Sequence, residues 1–239
     1  MKTLKAVGDL LAPRQCLVCG RRLGVEEKHL CIWCAADLPL TRYWTRTHHP
    51  MADRFNEVIE RHRKPEDQEP YAYAAALLFY RSGNPYRRIP QALKYHYDRP
   101  AGRYFARMLG EFLAGSEPFR DVDLVVPVPL HWTRLFARGY NQAEVIARAV
   151  AERLGVPCRR LLKRTRRTRT QTRLGAEEKA RNVSGAFRVR SLTGARHILL
   201  VDDTFTTGAT LYGCFAALRA ALGPKVRLSV CTLSSVTEL

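Results

Sequence analysis

At 239 residues the chain has room for one full α/β domain and a small appendage, and its 46% hydrophobic content suffices for a sizeable core. The 40 Lys and Arg outnumber 22 Asp and Glu, giving a formal charge of +18 and a pI near 10.1. That imbalance favours a polyanion such as nucleic acid as partner, with a solvated basic surface as the plain alternative. No apolar run approaches 18 residues, and residues 4–11 are interrupted by Lys5, Gly8 and Asp9, so neither a transmembrane helix nor a signal peptide is expected.

Near the start, Cys16-x-x-Cys19 and Cys31-x-x-Cys34 are separated by eleven residues. Two such pairs let four thiolates converge tetrahedrally on one Zn²⁺, and Gly20 suits the turn that a zinc knuckle needs. A redox pair is the alternative, but a segment of about 25 residues is too short to bury its own core. Four thiolates would also fill the coordination sphere, so the metal is expected to be structural. Cys158, Cys214 and Cys231 read as buried small apolar residues. Residues 1–40 are therefore expected to form a zinc ribbon.

Residues 41–70 are polar, with His48, His49, Arg61, His62, Arg63 and Lys64 followed by an acidic patch at 66–69, and read as a connector holding a short helix within 53–63. His48 and His49 have no further cysteine pair beside them, which favours a solvated or packing role over metal ligation. Residues 71–239 then carry the α/β pattern. A strand at 71–80 and a turn at 82–85 lead to a helix at 87–95, where Pro90 lies near enough the start to be tolerated. A second helix at 101–113 places Tyr104, Phe105, Met108, Leu109 and Phe112 at core spacing. D-L-V-V-P-V-P at 123–129 reads as a buried strand that its prolines end. A loop at 131–141 brings Arg134 and Arg138 to the sheet's edge, and a one-faced helix at 142–154 closes on Gly155 and Pro157. The last strand is expected at 225–235.

Residues 158–181 hold ten Lys or Arg against Glu177 and Glu178, a net +8. The lack of an apolar period and the interspersed threonines predict a mobile excursion able to close over a ligand, with arginines suited to phosphate oxygens. A solvated charged face is the alternative reading.

Residues 197–210 read H-I-L-L-V-D-D-T-F-T-T-G-A-T. Four apolar residues, 198–201, suit a strand buried on both faces and ending on Asp202 and Asp203, after which hydroxyl residues and Gly208 precede an amphipathic helix. At the carboxyl end of a parallel strand, such a loop aims N–H groups and hydroxyls at one point, where a phosphate fits. Adjacent carboxylates repel a phosphate and suit neighbouring hydroxyls or a divalent cation, features that a phosphorylated sugar combines. Taken as an isolated turn, the same residues need only cap a helix.

The full string V-D-D-x-x-T-T-G-x-T resembles the phosphoribosyl pyrophosphate (PRPP) motif of type I phosphoribosyltransferases. The resemblance implies that Asp202 and Asp203 hold ribose hydroxyls and that the loop after them cradles the 5′-phosphate, the set being Asp202, Asp203, Thr204, Thr206, Thr207, Gly208, Ala209 and Thr210. Phe205 is expected to pack rather than contact ligand.

A second resemblance covers nearly the whole chain. The four-cysteine ribbon, L-K-Y at 93–95, P-V-P at 127–129, R-G-Y-N-Q-A at 138–143, T-x-x-Q-x-x-L at 168–174 and R-N-V-x-G-A-F at 181–187 join the PRPP motif in a set that resembles the ComF (competence protein F) family. The long 41–70 segment and Pro90 depart from the pattern. The family implies a zinc ribbon fused to a type I phosphoribosyltransferase-like parallel sheet flanked by helices, in the cytoplasm, serving uptake of single-stranded DNA in natural transformation beside other DNA-uptake proteins. Two classes follow. As an enzyme, the chain would use PRPP with Mg²⁺ to attach a nitrogen base, with Val128, Pro129, Leu130, Arg138 and the basic loop meeting pyrophosphate. As a binding module, it would keep the phosphosugar site and grip DNA through Arg164, Arg166, Arg167, Arg169, Gln171, Arg173 and Arg181.

Overall fold

The computed structural model describes residues 13–63, 69–95, 98–165 and 185–236. Its centre is a four-stranded parallel sheet in the order β1-β6-β5-β2, built from β1 (Ala74–Phe79), β2 (Leu124–Pro127), β5 (His197–Phe205) and β6 (Arg227–Ser235). Apolar runs such as Ala74–Phe79, Leu124–Pro127 and 198–201 fill its middle because both faces are covered. On one face lie α3 (Arg88–Tyr95), α4 (Arg99–Ala114) and α6 (Gln142–Leu154), with Leu93, Phe105, Leu109, Ile146 and Val150 over Leu199, Val201 and Leu233. On the other lie α2 (Pro50–Glu60) and α7 (Ala209–Leu222), with Phe55, Phe215 and Leu218 over Ile198, Leu200 and Val230. A small antiparallel pair, β3 (Leu162–Arg164) and β4 (Phe187–Val189), joins this second face through Leu162 and Phe187.

The ribbon carries α1 (Ile32–Ala36), and its Cys16, Val18, Leu23, Leu30 and Cys31 enter the first core beside Tyr86 and Ile89. Tyr86 donates its hydroxyl to Cys34 O at 3.2 Å and to Asp37 Oδ2 at 3.1 Å, and Arg88 donates to Val18 O at 2.8 Å. The ribbon thus rests on the start of α3.

Four sequence expectations change. The segment from 41 is folded rather than a connector: Met51, Ala52, Phe55, Val58 and Ile59 form a buried stripe on α2, and Thr41 N donates to Leu77 O at 3.0 Å. His49 stacks on Tyr43 at 4.0 Å and caps α2, a packing role, while Lys64 and residues 66–68 lie outside the described residues. The expected loop at 131–141 contains a helix, α5 (Trp132–Arg138). The basic stretch begins as β3 rather than as a loop. Finally, β5 does not stop at the acidic pair but pairs with β6 as far as Phe205↔Ser235. Along that extension Thr204 Oγ1 and Ser234 Oγ lie 3.1 Å apart.

Candidate phosphosugar loop and cysteine cluster

At the carboxyl edge of the sheet β5 hands over to α7 through Thr206, Thr207 and Gly208. Gly208 has φ 76°, and a Cβ there would lie 3.1 Å from the Phe205 ring and 3.3 Å from Phe55. Only glycine meets both demands. Phe205 is buried, edge-on to Phe55 at 6.4 Å, as expected of a packing residue. The first N–H groups of α7 open toward this loop beside Thr210, because a helix start leaves them without intrahelical partners.

Strand alternation sends the two carboxylates to opposite faces. Asp203 meets Lys94 of α3 at 3.5 Å, while Asp202 faces Arg164 of β3 and Cys214 of α7. Burial pushes Asp202 up to about 7 and Asp203 adds to the push, whereas the N–H of Asp203, Lys94 and Arg164 pull the other way. Arg164 also lies over the Phe187 ring at 5.2 Å, and burial lowers its guanidinium.

Motifs scattered along the chain meet here. Tyr140 of R-G-Y-N donates its hydroxyl to Leu93 O in L-K-Y, and Asn141 donates to Val128 O at 2.9 Å in the loop after β2. Val128 is buried and its N–H donates to Val201 O at 2.9 Å, while Pro129 and Leu130 are half-buried. Arg138 closes α5 and donates to Gln142 Oε1 at 3.4 Å. Lys94 was not foreseen as a site residue, since only its place within L-K-Y marked it. Arg166, Arg167, Arg169, Gln171, Arg173 and Arg181 lie outside the described residues. Arg160, counted with the basic stretch, is held by Glu144 at 2.6 Å.

Beside Thr206 and Thr207 a cavity of about 480 Å³ is lined by Met51, Asp53, Arg54 and Glu57 of α2 together with Phe205, Ser235 and Val236.

In the ribbon, the sulfurs of Cys16, Cys19, Cys31 and Cys34 all lie within 4.8 Å of one another, with Cys19 and Cys31 at 3.7 Å. Burial raises the Cys16 thiol, yet N–H groups of Cys19, Cys31 and Val18 outweigh it and bring it down to about 6. Burial and the neighbouring sulfurs push Cys34 up. A partly formed thiolate among close sulfurs suits a cation, and four of them can hold a metal ion such as zinc.

The fold and the cluster define the class: an α/β protein whose four-stranded parallel sheet is flanked by helices, with a four-cysteine ribbon ahead of it. No family model matches the chain. It is similar to competence protein F of Haemophilus influenzae, 35% identical over 118 residues, 46% of this chain and 51% of that protein. It is also similar to DNA utilization protein YhgH of Escherichia coli K12, 37% identical over 92 residues, 37% of this chain and 40% of that protein. The YhgH protein of Salmonella typhimurium matches at 37% over 90 residues, again 37% of this chain and 40% of that protein. These relatives support the ComF family for this chain, which spans about half the length of the first and 40% of the others. Among the described residues no helix is long and apolar enough to cross a membrane.

Proposed function

We propose that this chain is a phosphosugar- and DNA-binding protein of competence or DNA utilization, with PRPP or a related phosphosugar on the 202–210 loop and single-stranded DNA on its basic surface. The carrying observation is the V-D-D-T-F-T-T-G-A-T run at the carboxyl end of a central parallel strand, opening into α7. Loop hydroxyls and helix N–H groups suit the 5′-phosphate, and Asp203 beside Lys94 suits a ribose hydroxyl and an adjoining phosphate. Mg²⁺ bound with the diphosphate supplies charge neutralisation. The relatives' names, one for competence and one for DNA utilization, support the biological setting.

Calorimetric titration of PRPP with Mg²⁺ tests the loop. The wild type binds, and Asp203→Ala loses most of the affinity because an acceptor vanishes. Equal affinity in the variant would rule out this placement.

The cavity beside Thr206 and Thr207 favours a second reading, a working transferase. Apolar Met51 and Phe205 beside polar Asp53, Arg54 and Glu57 suit a planar nitrogenous acceptor next to the sugar. Turnover of labelled PRPP across a panel of bases decides it, with pyrophosphate release as the readout.

A further inference from the structure

The helix after β2 presents its apolar side chains to water. On α5, Trp132 is 70% exposed, Leu135 43% and Phe136 91%, and no residue of the helix is buried. Trp132 and Phe136 are four residues apart, so they share one helix face about 6 Å apart along the axis. The support beneath them is firm. The His131 side chain accepts from Thr133 N at 3.4 Å at the start of α5, Gly139 ends the helix at φ 63°, and the next two residues are tied down by Tyr140 to Leu93 O and Asn141 to Val128 O. Exposed aromatic rings on an anchored element mark a binding surface.

The surrounding charge selects the occupant. Helix α5 carries Arg134 and Arg138 and no acidic residue. Arg134 is close enough to Arg164 to depress its guanidinium, and Arg164 leads into the basic stretch 158–181. Rings interleaved with guanidinium groups match a chain that alternates π-faces with phosphates. The basic stretch contains no aromatic residue and can grip phosphates but not stack bases. Helix α5 carries the rings that this sequence lacks.

We infer that Trp132 and Phe136 form a base-stacking platform for single-stranded nucleic acid, whose phosphates are held by Arg134 and Arg138. The platform rests on the single-strand reading proposed above. Duplex DNA, whose base faces are already stacked, binds this surface less well.

The test compares a thymidylate dodecamer with an abasic sugar–phosphate dodecamer of equal charge, by fluorescence anisotropy on the full-length protein at fixed salt. The wild type prefers the thymidylate by roughly tenfold, the effect of about one stacked base or more. The double variant Trp132→Ala/Phe136→Ala loses that preference while keeping its affinity for the abasic strand and its salt dependence. Trp132→Phe/Phe136→Tyr, which keeps two rings, retains the preference. Both variants change exposed side chains, and unaltered circular dichroism and metal content confirm the fold. Equal wild-type affinities for the two strands, or a preference surviving in the double alanine variant, overturns the platform and leaves the single-strand reading standing. Absence of binding to either strand overturns both. Self-association or vesicle binding that disappears in the double variant, with base preference unchanged, assigns this face to another partner and overturns the inference.

Discussion

Burial and the Asp203 carboxylate raise Asp202 to about 7 from an ordinary value of 3.8, so the folded chain without ligand holds that proton more tightly than the unfolded chain does. The stabilisation is complete below pH 3.8 and is lost as pH rises through about 7. Asp202→Asn keeps the shape and the Oδ1 acceptor for Asp203 N, at 2.8 Å in the wild type, without the charge. The variant therefore melts above the wild type at pH 8 and level with it at pH 4, as scanning calorimetry reads; a lower melting point at pH 8 would count against the assignment. Ligand binding has the opposite pH dependence, since sugar hydroxyls donate to the ionised form. On the proposed function, wild-type affinity for PRPP climbs between pH 6 and pH 8, and the climb is absent in Asp202→Asn. At Gly208 the constraint is steric. An alanine there pays about 1 to 2 kcal/mol for the left-handed backbone, and more for crowding Phe205 and Phe55, so Gly208→Ala lowers the denaturation midpoint.

Among the elements, the ribbon depends most on something outside its own sequence. Its buried residues are few, and a metal ion such as zinc, held by the four sulfurs, would supply the remaining cohesion. Elemental analysis of native protein is expected to find one zinc per chain. Cys31→Ala is expected to lose it, with faster hydrogen exchange at residues 13–40 while the sheet keeps its protection. The cysteine pairs, α6 at 142–154 and the start of α7 at Ala209 were all legible in the sequence, because spacing, a one-sided apolar stripe and glycine stops mark them. The stripe on α2 was obscured by the charged residues around it, Asp53, Arg54, Glu57 and Glu60. Helix α5 buries nothing, so no core-facing period existed to be read. β3 is a pair of basic residues after Leu162, and only its partner β4 reveals it as a strand. The ligand loop was legible as a string, but Lys94 opposite Asp203 arises from the approach of α3 to β5, which local pattern does not encode.

Over the whole molecule, on the proposed function, the charge of +18 makes ionic strength the main control on single-strand binding. If about five side chains meet phosphates of a single strand, log affinity falls against log salt with a slope of roughly −3.5. Replacing Arg166, Arg167 and Arg169 by alanine is expected to reduce its magnitude by about 2, at roughly 0.7 per contact. An unchanged slope would move the phosphate contacts to other basic residues. The strand order has a consequence for the making of the protein. Among the described residues β6 is the last strand in chain order, yet it lies between β1 and β5. Until residues 227–235 leave the ribosome, β1 has, among the described residues, only the 39–41 segment along one edge, through contacts such as Leu40↔Leu78, and β5 only β2. A nascent chain thus carries its ribbon and its described helices while the sheet remains in two halves, and closure waits on residues 227–235. A premature stop before residue 227 leaves two exposed strand edges instead of a shortened but working protein, making such products substrates for chaperones and proteases.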